Sequence, residues 1–474
     1  MQESKRCQNK RNTRGKVELI DTHVHLTFPQ FDKDRDEVIS RAFDAGLVSM
    51  VTVGAGSGLS GNNGALQLAE SDERIFATVG VHPHDASQME DSWISEIKEM
   101  AKSDRVVAIG EIGLDYHYKH STPDVQKKRL IDMIDIAREA GKPIVIHDRE
   151  AHEDLWQIVS ETNASELGGV FHCFSGDALF AKKVIDAGFY ISIPGIVTFK
   201  NAHDLHEVVS TMPLEAMLIE TDCPYLSPEP VRGKRNEPAN VRFVVEKIAE
   251  LKGLSIEDVA RVTTLNARRI FNLPGSEMET SIAYVIRNSL YLNITNTCNL
   301  ACKFCPKFID FEIKGHYLKL DHEPDVDEIF RAMGQPEIYD EVVFCGYGEP
   351  TRRIEVVKEI SKRMKKRGVK RVRLNTDGLA NLLYGRNILP ELKGLIDSIS
   401  LNAADASFHA RVCPSKFGEK AYDAVCEFVV EAKKHIPEVI ASVVALPDLD
   451  LEACKKKAKE LGVPLRIREY MNVG

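Results

Sequence analysis

The sequence predicts an α/β protein made of two successive parallel barrels, and three observations carry that expectation. Between Val17 and Leu273, short apolar runs alternate with amphipathic stretches eight times. A second series of six such runs begins at Tyr291. Between the two lies Pro274–Ser281, where Pro274, Gly275 and Ser276 lead a polar stretch that breaks both patterns. Eight strand–helix units in roughly 250 residues is the count and size of a TIM-type (β/α)8 barrel. Six units suit a partial, more open (β/α)6 barrel.

The first series runs Val17–Ile20, Val48–Val53, Phe76–Val81, Val106–Ile109, Ile144–Ile146, Gly169–Phe171, Phe189–Ile193 and Met217–Ile219. Helical patterns separate the runs, as in Gln126–Ala140, where apolar positions recur three and four apart. The second series runs Tyr291–Ile294, Val342–Phe344, Val372–Leu374, Ile399–Leu401, Ile440–Ala445 and Leu465–Ile467, with helices expected at Ile354–Lys366 and Tyr422–Lys434. The expected organisation is a basic tail (1–17), a first barrel (18–273), a linker (274–283) and a second barrel (284–474).

A chain of 474 residues is too long for one core. A net charge of −9 argues against wholesale coating of nucleic acid but leaves room for a local basic cleft. Ten cysteines in such a length do not make a disulfide scaffold. No apolar run approaches the ~20 residues of a membrane span, so no membrane partner is expected. The first sixteen residues carry Lys5, Arg6, Lys10, Arg11, Arg14 and Lys16 without an apolar core, unlike a secretory signal. A cytoplasmic location is expected.

Nearly every strand end of the first barrel carries a metal-competent side chain. His23 and His25 follow the first run, Glu111 the fourth, His147 the fifth, His172 the sixth and Asp222 the eighth. In a parallel barrel these positions converge on the C-terminal mouth. A lone histidine at a strand end is more often structural, but six ligands at matching ends are hard to obtain by chance. They suffice for two divalent ions if one carboxylate bridges them, and a set without thiolates suits zinc, manganese or magnesium. Cys173 and Cys223 adjoin His172 and Asp222, so alternation turns them away and they read as core thiols.

The motifs I-D-T-H-V-H-L (Ile20–Leu26), V-G-V-H-P-H (Val79–His84), G-E-I-G-L-D-Y (Gly110–Tyr116), I-H-D-R-E-A (Ile146–Ala151), H-C-F-S-G (His172–Gly176) and E-T-D-C-P-Y-L (Glu220–Leu226) resemble the TatD family of metal-dependent deoxyribonucleases. The resemblance implies that Glu111 bridges two ions, with His23, His25 and Asp222 on one and His147 and His172 on the other. Two ions can clamp a scissile phosphate of DNA while Asp222 takes the proton of the attacking water, which makes Asp222 and Glu111 the expected catalytic pair. Arg232, Lys234 and Arg235 on the loop Val231–Pro238, with Arg149, are expected at the phosphates. His82 and His84 also face the mouth, and His82 is expected to contact substrate.

In the second half, Cys298, Cys302 and Cys305 read C-x-x-x-C-x-x-C just after Leu290–Ile294, with Phe304 beside the last cysteine. A four-iron cubane wants four thiolates, so three leave one iron open. A zinc knuckle is the rival reading, with Cys345 the obvious fourth ligand. G-Y-G-E-P-T (Gly346–Thr351) follows the next run, N-T-D-G (Asn375–Gly378) the third, and Ser400 and Asn402 the fourth. Together these resemble the radical SAM superfamily over residues 284–474. The resemblance implies a [4Fe–4S] cluster, and S-adenosylmethionine cleaved reductively to a 5′-deoxyadenosyl radical. It places Gly346, Tyr347, Gly348 and Glu349 at the methionine end and Asn375, Ser400 and Asn402 at the ribose. Tyr347 departs from the glycine commonest there. An electron donor such as flavodoxin or ferredoxin is implied as a partner. Cys345, Cys413, Cys426 and Cys454 are widely spaced and show no second cluster motif, so no auxiliary iron–sulfur domain is expected, and Cys345 reads as a core thiol.

The pair of barrels looks like the TatD-linked radical SAM group in one fused chain. It points to a bifunctional enzyme acting on DNA or a nucleic-acid-derived substrate. The alternatives are a hydrolase of small esters or amides beside the radical enzyme, and one barrel serving only as a binding scaffold.

Overall fold

A computed structural model describes residues 17–275 and 279–470. The basic tail expected at the N-terminus lies outside them. The chain divides into two compact units, Met1–Glu277 and Met278–Gly474.

In the first unit eight parallel strands follow one another around a single sheet: β1 (Leu19–Val24), β2 (Leu47–Val53), β3 (Ile75–Val79), β4 (Val106–Asp115), β5 (Ile144–Arg149), β6 (Gly169–Phe171), β7 (Tyr190–Ile193) and β8 (Met217–Ile219). A parallel bridge between Val24 and Cys223 joins the two ends of the ring. Seven strands each supply at least one apolar side chain to an interior layer, from Ile20 on β1 to Leu218 on β8, with Phe271 and Leu273 packed against it. Each buried aliphatic side chain is worth about 1.5–3 kcal/mol. This dry layer confines the polar groups to the mouth. The helices form the outer shell, and Pro123–Ala140 shows how the sequence sets one. Proline stands in its first turn, Leu130, Met133, Ile134 and Ala137 face the core, and Gly141 ends it in the left-handed conformation (φ 63°).

One strand departs from expectation. The fourth run is expected to stop at Ile109, because G-E-I-G-L-D mixes glycine with carboxylates. Instead β4 continues to Asp115, and all ten of its residues are buried. Its pairing with β5 carries on to Asp115↔Arg149, although pairing with β3 stops at Ile109, and these backbone partners outweigh low strand propensity.

The second unit is a seven-stranded half-barrel. Its strands are β9 (Ala283–Ile286), β10 (Ser289–Leu292), β13 (Glu341–Phe344), β14 (Val372–Thr376), β15 (Ile396–Ser400), β16 (Val439–Ala445) and β17 (Leu465–Glu469), and a small separate ribbon pairs β11 (Glu312–Ile313) with β12 (His316–Tyr317). Six strands are parallel, as the sequence predicts. β9 is an addition, antiparallel to β10. Its hairpin turns on Arg287 and Asn288, with Arg287 at φ 55°. Helices cover one face of this sheet. Ile354–Lys366 buries Ile354, Val357, Ile360 and Met364 against it, and Leu451–Leu461 starts where the Asp450 side chain accepts from the Ala453 amide.

Candidate functional site

Two slips of register build the mouth of the first barrel. Pairing of β1 with β2 passes from Asp21↔Met50 to Val24↔Thr52, so β1 advances three residues against two. Pairing of β4 with β5 passes from Gly110↔Val145 to Ile112↔Ile146, with Glu111 the extra residue. Such slips re-aim side chains. Here they leave His23 and Glu111 buried at the mouth. Gly113 makes the close approach of β4 to β5 feasible: at φ 150°, a Cβ there would stand 1.9 Å from the His147 carbonyl oxygen. Asp222 sits at φ 53°, a strained setting for a side-chain-bearing residue that is common at functional sites.

Glu111 presents its two oxygens to two different groups. Oε2 lies 3.3 Å from His23 Nε2 and 3.9 Å from His25 Nε2. Asp222 Oδ1 completes that side, 3.2 Å from His25 Nε2 and 3.8 Å from His23 Nε2. Oε1 lies 2.6 Å from His147 Nδ1, 2.8 Å from His172 Nε2 and 3.4 Å from His82 Nε2. The donor set fits two divalent ions. Both ring nitrogens of His23 and Nδ1 of His25 are buried without a hydrogen-bond partner, a deficit that a cation would fill. Burial lowers His23, and it lowers His82 to about 4, so both are neutral near pH 7. Burial would raise Glu111, but His172, His82 and His147 outweigh it and hold the carboxyl well below the usual range. Burial would likewise raise Asp222, which His25 holds low. Against the downward pull of burial, Asp115 and Glu111 raise His147, and Glu111 and Glu220 raise His172; a metal takes neutral imidazoles and ionised carboxylates, so an ion on that side would displace their protons.

Two carboxylates that the sequence reading did not single out back the histidines. Asp115 Oδ2 lies 3.1 Å from His147 Nε2 and 2.8 Å from His84 Nε2. Gln126 clamps the Asp115 backbone, accepting from its amide at 2.8 Å and donating to its carbonyl at 2.9 Å. Glu220 Oε1 accepts from the Cys173 amide at 2.7 Å and stands 3.4 Å from His172 Nδ1. Asp115 is four residues beyond Glu111 and so on the same strand face, a signal hidden by ending the strand early.

The expected cations behave differently from one another. Arg149 is exposed and lies over the Tyr118 ring at 4.8 Å, and Lys234 is exposed. Arg232 pairs with Glu229 at 2.9 Å and covers Phe199. The Arg235 guanidinium is engaged by Asp34 (2.7 Å to each oxygen), Glu237 (3.0 Å) and the Gln30 carbonyl (2.7 Å). It braces the loop after β8.

In the second unit the cysteine loop follows β10, and the Cys305 amide donates to the Cys302 carbonyl at 3.0 Å. Three thiolates on one zinc would stand ~3.8 Å apart, given ~2.3 Å bonds and tetrahedral angles. Among the described residues no three cysteine sulfurs lie within 4.8 Å of one another, so the cysteine loop is too open for such a knuckle. The thiol nearest the motif is Cys413, buried, with its Sγ 3.3 Å from Cys302 Sγ. Burial raises the Cys298 thiol to about 12, with Asp377 adding to it.

The backbone at Gly348 passes so close to β10's end that a Cβ would stand 2.1 Å from the Thr295 carbonyl oxygen. Tyr347 is tolerated because its hydroxyl donates to the Glu312 carbonyl at 2.5 Å and its ring packs with Tyr284 and Ile313. Glu349 accepts four hydrogen bonds from within the chain. Oε1 accepts from the Thr351 amide and hydroxyl (2.9 and 2.6 Å) and from the Thr376 hydroxyl (2.8 Å), and Oε2 from the Asp377 amide (2.6 Å). Glu349 thus ties two strand-end loops together, with three bonds on Oε1 and one on Oε2, which keeps an acceptor site. Among the described residues, the buried acceptors without partners at these strand ends include Asn293 Oδ1, Asn375 Oδ1, Asn402 Oδ1 and Asp377 Oδ2. Hydroxyls and an ammonium are the donors they lack, so the strand ends fit S-adenosylmethionine. Asp377 went unassigned by sequence, although it stands inside N-T-D-G.

Among the described residues no helix is long and apolar enough to cross a membrane. The family model described as TatD related DNase matches residues 20–272, and that of the radical SAM superfamily matches residues 292–461. An uncharacterised metal-dependent hydrolase, YabD of Bacillus subtilis, is 45% identical over 255 residues, which are 54% of this chain and 99% of that protein. The 3′-5′ ssDNA/RNA exonuclease TatD of Shigella flexneri is 36% identical, over 54% of this chain and 99% of its own length. The solved structure of YjjV, a TatD homologue of Escherichia coli K12, superposes with a TM-score of 0.50 at 27% identity, covering 54% of this chain and 98% of that one. These families imply divalent metals in the first unit, and an iron–sulfur cluster with S-adenosylmethionine in the second. The chain belongs to the TatD related DNase family and is an enzyme that joins a metal-dependent hydrolase domain to a radical SAM domain.

Proposed function

We propose that the first barrel hydrolyses phosphodiester bonds at single-stranded ends of DNA or RNA. One observation carries this reading: Glu111 turns one oxygen to His23 and His25 and the other to His147 and His172. His23, His25 and Asp222 would hold one divalent ion, His147 and His172 the other, with Glu111 between them. Bound there, the ions supply Lewis acidity to the phosphate and a lowered pKa to water. Asp222, ionised and with its side chain 15% exposed, accepts the proton of the attacking water. His82, neutral and beside Glu111, donates to a phosphate oxygen. Arg149 and Lys234 neutralise the strand. Tyr118 and Tyr225, each about half exposed, offer ring faces to unpaired bases, and a duplex would hide those bases. The ssDNA/RNA activity in the names of relatives at 36–37% identity supports the same substrate class. End-labelled single strands should be shortened only with a divalent ion present, duplexes far more slowly. Glu111→Ala should abolish shortening with the barrel still folded. Full metal-dependent activity in that variant would sink the assignment.

We infer further that Cys298, Cys302 and Cys305 hold a [4Fe–4S] cluster, with electrons from a donor such as flavodoxin or ferredoxin. The backbone of Gly346–Gly348 would take the methionine end of S-adenosylmethionine, and Asn375, Asp377, Ser400 and Asn402 its polar groups. The cluster supplies the electron for reductive cleavage.

A further inference from the structure

The parallel strands of the second unit are two-faced. Leu290, Leu292, Phe344, Leu374, Ile399 and Val443 pack into the helix-covered core. Alternation turns the residues between them to the opposite, inner face, where Val343, Ser398 and Ser442 are also buried. Three arginines stand on that face, Arg373 on β14 and Arg466 and Arg468 on β17. Arg373 is 6% exposed and donates to Glu341 at 3.0 Å, but its Nε is buried without a partner. Arg468 also has its Nε buried without a partner. Among the described residues neither Arg466 nor Arg468 pairs with a carboxylate. Arg373 is buried, Arg468 half-buried and Arg466 exposed at the edge of this hollow, so the three share one acid and the two buried Nε donors lack a partner that an anion would supply.

We propose that this hollow binds the anionic group, phosphate or carboxylate, of the radical SAM domain's substrate, with Arg373, Arg466 and Arg468 as its ligands. Their forks suit the planar or tetrahedral oxygens of such a group. Burial, and then Arg373, lowers Arg466 and Arg468, so each gains from an added negative charge. Cys302 and Cys345 are close enough to Arg468 to affect its charge, which sets the hollow beside the cysteine loop. Tyr291 adjoins the same arginines and stacks on Tyr284 at 5.2 Å, giving the anion an aromatic neighbour.

The proposal rests on the second unit taking up a cluster and S-adenosylmethionine, and the test separates the two. The anaerobically reconstituted full chain is first assayed for iron and for S-adenosylmethionine binding. A failure there overturns the radical reading itself. The loaded chain, stripped of divalent ions to silence the first barrel, is then titrated with dAMP, deoxyadenosine and succinate. Binding is followed by calorimetry and by the EPR spectrum of the reduced cluster. dAMP or succinate should bind and shift the spectrum, and deoxyadenosine should not; their comparison tells phosphate from carboxylate. The double variant Arg466→Gln/Arg468→Gln should bind the responding anion at least tenfold more weakly with its iron content retained. Arg468→Lys, which keeps the charge and loses the fork, should fall between. Equal isotherms for wild type and double variant, or no anion response in the loaded wild type, would overturn the proposal.

Discussion

Asp115 shows how much a single carboxylate does without touching a substrate. It stands 3.1 Å from the His147 nitrogen that points away from Glu111, and so fixes which nitrogen of His147 is free for a metal. Asp115→Asn should weaken metal binding about 10–100-fold, read by competition with a chelator, with little change in the melting temperature of the metal-loaded chain. Unchanged affinity would remove Asp115 from the site. Cys413 poses the opposite question. It lies 3.3 Å from Cys302, yet a cluster that opens one iron to S-adenosylmethionine needs only three thiolates. Cys413→Ser should therefore retain about four irons per chain after reconstitution, whereas loss of Cys298, Cys302 or Cys305 should abolish loading. Loss of iron in Cys413→Ser would make it a fourth ligand and close the open iron.

At the scale of elements, ion pairs tie the helix Arg35–Asp44 to the loop after β8. Arg235 and then Arg41 hold Asp34 down to about 2, and the two arginines lower Glu237 against the upward pull of its burial. A carboxylate lowered by folding stabilises fully above its unfolded pKa, near 4. That contribution fades as pH falls towards the folded value. Arg235→Ala should lower the melting temperature at pH 7, and the gap from wild type should narrow between pH 4 and pH 2 and at high salt. A gap unchanged by pH would mean that Arg235 acts through its packing over Phe31. The pairs are exposed, so the effect should be a few degrees at most.

For the whole molecule, the two units bury separate cores. Separate cores predict separate failures. Cys302→Ala should empty the cluster while the full chain still shortens single strands at close to the wild-type rate, measured in parallel on one preparation. A large loss of hydrolysis with folding intact would show that the two sites are coupled.

The sequence by itself determined the two-barrel plan, because apolar alternation fixes strands and helices locally and six ligands at strand ends repeat one position of one motif. It also determined the cysteine triad, a contiguous pattern. What lay beyond it were the consequences of neighbours. Asp115 became visible only once β4 ran on to its tenth residue, since pairing with β5, and not propensity, decides where this buried strand ends. Arg235 reads as a free cation until Asp34, 201 residues away, appears beside it. Glu349 reads as an unengaged carboxylate until four hydrogen bonds from Thr351, Thr376 and Asp377 converge on it. The hollow of Arg373, Arg466 and Arg468 joins strands about ninety residues apart, and charge density between distant strands is a property of the fold alone.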